Sequence, residues 1–235
     1  MIHIRSLTVS FGGVKAIDSL DAELTAPVCG LIGPNGAGKT TLVNVLSGMV
    51  PTTAGEVSVD GTPLLRMSPL ARVRFGLRRS FQTEQVVEDL SVWDNVQAVL
   101  DHLPQPHSQA GQQIARALAH VGLLGAATVF GRELNLFQRR MVEMAKSLVG
   151  APKLLLLDEP GAGLTEQEAA TLRLAICGVP DFCGAQVLLI DHDVDLIAAT
   201  CSQTLVLDFG RRLALGPTRA VLDDPAVRAA YLGTA

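Results

Sequence analysis

Val28-Cys29-Gly30-Leu31-Ile32-Gly33-Pro34-Asn35-Gly36-Ala37-Gly38-Lys39-Thr40-Thr41 decides how the rest of this sequence is read. Its first five residues form a short apolar run, which predicts a strand, and the run empties into a glycine-rich loop at 33–38. Helical spacing follows over 40–49, with Leu42, Val45, Leu46 and Met49 on one face and Pro51 closing the helix. Residues 33–40 match G-x-x-x-x-G-K-[ST]. Glycines lack a Cβ, so successive backbone N–H groups can turn inward as an anion nest. The helix behind adds the positive end of its dipole. In that frame Lys39 reaches the β- and γ-phosphates of a nucleotide, and the Thr40 hydroxyl ligates Mg²⁺. Gly33, Asn35, Gly36, Gly38, Lys39, Thr40 and Thr41 are the candidate nucleotide-binding residues. With glycine at ~7% of average composition, a chance match arises on the order of once in ten thousand starts.

A second stretch answers the first: Lys153-Leu154-Leu155-Leu156-Leu157-Asp158-Glu159-Pro160. Four consecutive leucines predict a strand buried on both faces. The acid emerges at its carboxyl end, where ligands bind in open α/β sheets. Asp158 is placed to hold Mg²⁺ through water, and Glu159 to polarise an attacking water. Further strands are expected at 2–9, turning at Gly12-Gly13, at 56–59 before Asp60-Gly61, at 187–191, at 205–207 and at 212–215. Between 86 and 150 the pattern changes to helix. Ser91 caps a helix beginning at Val92, and 112–121 and 139–149 carry helical apolar spacing. The polar stretch 104–111, with two prolines, predicts a surface loop. Thr165 and Glu168 can open a later helix as a capping box. The expectation is one domain over 1–235. In it, 1–85 and 151–235 form an α/β core with a β-subdomain, and 86–150 form a helical subdomain.

Composition narrows the class. Apolar residues make up 48% of the 235 residues and charged ones 18%, and the mean hydropathy is +0.33. A membrane-spanning helix needs roughly 18 or more apolar residues in a row, and the runs at 154–157 and 187–190 fall far short. Met1-Ile2-His3-Ile4-Arg5 has no signal-peptide organisation. A soluble, cytoplasmic chain is expected, at a membrane only if something holds it there. The net charge of −4 gives no overall field for nucleic acid. Arg72/Arg74/Arg78/Arg79 and Arg139/Arg140 are read as solvated helix faces. Cys29, Cys177, Cys183 and Cys201 form neither CxxC nor a zinc spacing, which suits a reducing compartment.

The glycine loop, the stretch 154–160 and His192 after the strand at 187–190 together resemble the ABC-transporter ATPases, whose order of motifs spans nearly the whole chain. The resemblance implies an α/β P-loop NTPase core with an N-terminal antiparallel β-subdomain and a helical insert, and ATP and Mg²⁺ as cofactors. It also implies roles. Gln82, in Arg78-Arg79-Ser80-Phe81-Gln82-Thr83, falls at the Q-loop glutamine, which touches the metal site and lines the groove that receives the membrane subunit. His192 falls where a histidine contacts the γ-phosphate and helps position the catalytic water. Phe11 falls where an aromatic stacks on adenine; a plain core aromatic is its other reading. Trp93 and Tyr231 are read as packing residues. The Arg-Ser-Phe-Gln stretch, Leu-Asp-Glu-Pro-Gly-Ala-Gly-Leu at 157–164 and the ending Ala230-Tyr231-Leu232-Gly233 resemble in particular the branched-chain amino-acid importer ATPases. Importers of amides or urea fit the same features. The implied partners are a second ATPase subunit and transmembrane permease subunits, which would hold the chain on the inner face of the plasma membrane.

One motif departs from the family. Where LSGGQ or LSYGQ is expected, the chain has Leu134-Asn135-Leu136-Phe137-Gln138. Asn135 replaces the serine that donates to a γ-phosphate, and asparagine can still hydrogen-bond. Phe137 replaces a glycine that allows close backbone approach and unusual φ. Ala162 and Thr165 stand where serine and aspartate are common. In the family each ATP lies between one subunit's phosphate loop and the partner's signature. The expectation is therefore a heterodimer with one competent and one weakened site. The alternative is a regulatory subunit that binds nucleotide and scarcely turns over. A DNA-repair or translation ATPase is disfavoured by the lack of a coiled-coil insertion, a tandem domain or a basic surface.

Overall fold

The computed structural model of the chain describes residues 1–81, 83–103 and 107–232. Gln82, the prolines of the expected loop at 104–106, Gly233, and the side chain of Tyr231 lie outside the described residues. The chain divides into two compact units, Met1–Val73 with Gln186–Ala235, and Arg74–Ala185.

The first unit begins with β1 (Ile2–Phe11) and β2 (Val14–Leu24), joined by the Gly12-Gly13 turn. Then come β3 (Val28–Ile32), α1 (Lys39–Ser47), β4 (Ala54–Val59), β5 (Thr62–Pro63) and α2 (Pro69–Phe75), which carries the chain into the second unit. Strands β2-β1-β4-β5 form an antiparallel sheet. Its alternation buries Ile2, Ile4, Leu7 and Val9 on one face, as a half-solvated antiparallel sheet requires. Helix α1 stops earlier than the sequence suggests. Gly48, at φ 83°, turns its N–H back to the carbonyls of Asn44 and Val45, a glycine C-cap. Met49 lies beyond that cap and is exposed, while Val43 joins Leu42, Val45 and Leu46 in the core.

The second unit holds β6 (Leu77–Arg79), α3 (Val92–Leu100), α4 (Ala110–His120), α5 (Leu136–Ser147), β7 (Leu154–Asp158), α6 (Glu166–Cys177) and α7 (Val179–Cys183). Strands β6 and β7 run parallel, and every residue of β7 is buried, as its four leucines predict. Ser91 caps α3 by accepting from the Asp94 N–H, and Thr165 with Glu168 forms the expected capping box of α6. Two boundaries move. Ala110 and Gly111 open α4 rather than ending a loop. Helix α5 starts at Leu136, three residues before the apolar spacing that marked it.

The chain then returns to the first unit as β8 (Gln186–Ile190), α8 (Val194–Thr200), β9 (Gln203–Asp208), β10 (Arg211–Pro217), α9 (Thr218–Asp223) and α10 (Pro225–Val227). β3 pairs in parallel with both β8 and β9, and β10 returns antiparallel on β9. Cys29 on β3 is fully buried, and burial pushes its thiol up to about 11, a reduced and inert core residue.

The basic clusters are not solvated faces. Arg72 is buried and donates to the carbonyls of Val45 and Leu46, closing the end of α1. Arg78 is buried on β6, donates to the carbonyls of Val149 and Gly150, and is held by burial near pKa 10. Arg140 is buried against Glu84, 3.0 Å away. Guanidinium groups with five donors reach carbonyls where helices end, some of which a backbone N–H also shares. Arg74 is the member of the first cluster that remains exposed.

Candidate nucleotide-binding and catalytic residues

Within the first unit the glycine loop runs from the carboxyl end of β3 into α1. The Ala37 N–H bonds back to the Pro34 carbonyl at 3.1 Å, and the Ala37 carbonyl accepts from Gly210 at 3.0 Å, which pins the base of the loop. Two glycines have distinct reasons. Gly36 takes φ 80° with open space where a Cβ would stand, so its need is conformational. Gly38 takes φ 103°, and a Cβ there would come within 2.6 Å of the Ala16 carbonyl oxygen. The Leu42 N–H takes the Gly38 carbonyl, the first bond of α1. The amides ahead of it have no carbonyl one turn back, which is what makes a helix start an anion site. Asn35, Gly36 and Thr40 are exposed here, and Thr41 is half-buried. The Lys39 ammonium folds over the loop and donates to the carbonyls of Gly33, at 2.6 Å, and Pro34, at 3.0 Å.

His192 follows β8, the strand beside β3. Because Leu31 stands opposite Ile190 in that parallel pair, Gly33 and His192 both emerge two residues beyond a shared register. The buried Asp191 accepts from the Asp193 N–H at 3.0 Å, and its carboxylate lies 3.6 Å from His192 Nδ1. The imidazole itself is 70% exposed. Phe11, at the end of β1, is 52% exposed, which removes the core-aromatic reading and leaves its face available for stacking.

In the second unit Asp158 ends β7 with its side chain only 9% exposed, 3.7 Å from the Arg79 guanidinium. Ser80 fixes the same strand end, its hydroxyl accepting from the Asp158 N–H and its own N–H donating to the Leu156 carbonyl. Nothing in the sequence gives Arg79 and Ser80 a role beside Asp158; the β6–β7 pairing brings them there. Glu159 sits at φ 47°, in the left-handed region. For a residue with a Cβ that costs about 1–3 kcal/mol and is found where function holds it.

The segment that departs from the family is a helix cap. The Asn135 side chain accepts from the Gln138 N–H at 2.8 Å, while Gln138 Oε1 accepts from the Asn135 N–H at 3.1 Å. This reciprocal box starts α5. Phe137 lies in the first turn of that helix and has no positive φ. The conformational objection to it therefore falls away, and its bulk is what remains. Asn135→Ala should remove the cap and cost about 1 kcal/mol. That lowers Tm by roughly 2–4 °C for a chain of this size, read by calorimetry; Asn135→Ser should hold the parental value.

The two residues that the sequence assigns to Mg²⁺ each offer a hard oxygen, the exposed Thr40 hydroxyl in the first unit and the nearly buried Asp158 carboxylate in the second. They fit an ion that prefers oxygen and takes few protein ligands beside phosphates.

The ABC transporter family model matches residues 24–162. The high-affinity branched-chain amino acid transport ATP-binding protein BraF of Pseudomonas aeruginosa is 30% identical over 252 residues, covering 100% of this chain and 98% of that protein. LivG of Escherichia coli (strain K12), of the same description, is 31% identical with the same coverage. The methionine import ATP-binding protein MetN of Carboxydothermus hydrogenoformans is 31% identical over 96% of this chain and 68% of its own length. The ADP conformation of MJ1267, an ATP-binding cassette of an ABC transporter, superposes with a TM-score of 0.86 at 25% identity, covering 100% of this chain and 99% of the other. The α/β P-loop fold read from the glycine loop is thus the fold of such cassettes. The chain belongs to the ABC transporter family, as an ATP-binding subunit whose ATP hydrolysis is coupled to transport.

Proposed function

We propose that this subunit powers an importer of branched-chain or other hydrophobic amino acids. The observation that carries the reading is relatedness along the whole chain to LivG and BraF, proteins described as branched-chain amino acid transport subunits. Methionine import by MetN, another relative, supports the wider class of apolar amino acids. The test is ATP turnover by the reconstituted transporter with its binding protein. Leucine, isoleucine or valine should stimulate hydrolysis, whereas stimulation by urea or short amides alone would replace the proposed substrate.

In this reading ATP lies on the loop from Gly33 to Thr41, with Lys39 and the loop amides on the phosphates and Phe11 against the adenine. Thr40 and Asp158 keep their assignment to Mg²⁺ and Gln82 the role the resemblance gives it; the ion, when bound, neutralises charge on the phosphate oxygens. Glu159 accepts the proton of the attacking water, and His192 orients the γ-phosphate side. Residues 86–150 serve as the helical subdomain, and the chain sits at the inner face of the plasma membrane on its permease subunits. Among the described residues no helix is long and apolar enough to cross a membrane.

The partner is proposed to be a different ATPase subunit. Leu136 and Phe137 occupy the first turn behind the Asn135 cap, the turn that would face the partner's nucleotide. A benzyl group there crowds the approach that a glycine would permit. One site, formed by this chain's phosphate loop and a partner's intact signature, works at full rate; the other is weak. Mixed with that partner in the complete complex, the chain should turn over ATP at about half the sites or fewer. Alone it should be on the order of tenfold slower per site. Equal rates for the lone chain and the assembled pair sink the heterodimer, and near-zero turnover in the complete complex makes this the regulatory subunit instead.

A further inference from the structure

Residues 84–88 have no helix or strand of their own, yet side chains of α5 hold them at four points. The Gln85 N–H donates to Glu143 Oε1 at 2.7 Å, and the Gln85 carbonyl accepts from Lys146 Nζ at 2.6 Å. Arg140 pairs with Glu84 at 3.0 Å, and Arg139 with Glu88 at 3.1 Å. Arg140, Glu143 and Lys146 are spaced by three, so they line one face of the helix. Arg139 also donates to the Leu134 carbonyl at 3.2 Å, which ties the same stretch to the residue ahead of the Asn135 cap.

A carboxylate in this position is an expensive way to hold a peptide. Glu143 is buried, and its second oxygen, Oε2, has no hydrogen-bond partner among the described residues. Burial pushes its carboxyl above the usual range and holds the Lys146 ammonium below its own. An apolar residue would pack the site at less cost, since an unsatisfied buried acceptor opposes stability. What the pair supplies is position: both backbone polar groups of one residue, Gln85, are fixed from one helix.

We propose that Glu143 and Lys146 are positioning residues that clamp the Gln85 backbone to α5, so that the stretch following Gln82 and the helix capped by Asn135 move as one body. The inference deepens the proposed function, because it gives the pair an effect on turnover through its hold on 84–88. Neither residue is among those assigned to nucleotide.

The experiment measures kcat and KM for ATP in the assembled transporter, together with hydrogen exchange at the Gln85 amide. Glu143→Leu should lower kcat about tenfold or more, as a small misplacement near a reacting group does. KM should stay within about twofold, because the phosphate loop is untouched. The Gln85 amide should exchange faster. Glu143→Gln should keep most of the rate and the slow exchange, since its amide oxygen still accepts. A merely structural role would lower Tm and leave kcat below the transition unchanged; that result overturns the proposal, as does Glu143→Gln falling as far as Glu143→Leu. Should Glu143→Leu fail to fold, Lys146→Met is measured the same way, and parental kcat with parental exchange overturns it too. A parent complex without ATP turnover counts against the functional reading, and exchange at Gln85 still decides whether the clamp exists.

Discussion

Glu159→Gln in the assembled transporter is expected to bind MgATP as tightly as the parent and to hydrolyse it about 100-fold or more slowly, the span a positioned general base contributes. The substitution is close to isosteric; it removes the charge and with it the ability to accept a proton. Glu159 follows Asp158 directly and is turned by a left-handed backbone, at φ 47°, out of the line of β7. A residue continuing that strand in the usual conformation would alternate back toward the core. The turn sends the second acid to a different place from the first, as separate roles for the two carboxylates require. Glutamine pays the same backbone penalty as glutamate, so the variant tests the carboxylate and not the turn. Single-turnover hydrolysis and equilibrium nucleotide binding, measured on one preparation, separate the outcomes. Parental hydrolysis would remove Glu159 from the role of base; loss of binding together with hydrolysis would move it into the metal or phosphate shell.

The parts of this molecule that the sequence announces are those governed by neighbours along the chain. The phosphate loop is legible because its glycines, its lysine and the strand before it are contiguous, and the geometry needs nothing from elsewhere. The caps at Ser91 and at Thr165 with Glu168 are legible for the same reason, being three-residue devices. The start of helix α5 is not legible, because its first turn, Leu136-Phe137-Gln138, lies ahead of the apolar spacing and is fixed by the Asn135 box. The arginines went furthest astray. A run of basic residues in sequence reads as solvent-facing, yet Arg72, Arg78 and Arg140 are drawn inward by carbonyls and a carboxylate 27, 71 and 56 positions away. Such partners are set by the tertiary fold, and no local pattern contains them. Glu143 and Lys146 are invisible on the same grounds: on paper they are two more charges on an amphipathic helix.

Lys39→Ala should weaken MgATP binding by about 10- to 150-fold, which corresponds to the roughly 1.5–3 kcal/mol of a hydrogen bond to a charged group. The ammonium is already gathered over the loop by the carbonyls of Gly33 and Pro34. That leaves little side-chain freedom to lose when a phosphate arrives, so most of the charge-assisted bond appears as affinity. The amides of the nest and the start of α1 survive the substitution. Binding should therefore weaken without vanishing, and MgADP should suffer less than MgATP because it lacks the γ-phosphate. Arginine is no substitute: its planar fork cannot reproduce a point charge held by two carbonyls at 2.6 and 3.0 Å. Because Lys39 also braces its own loop, Lys39→Met, which keeps the apolar stem, is measured beside alanine, and the Tm of both without nucleotide reports any loosening. Calorimetric titration with the two nucleotides decides the matter. If both variants keep parental affinity for MgATP, the loop does not carry the triphosphate, and the roles given to Thr40, Asp158 and Glu159 lose their common reference point.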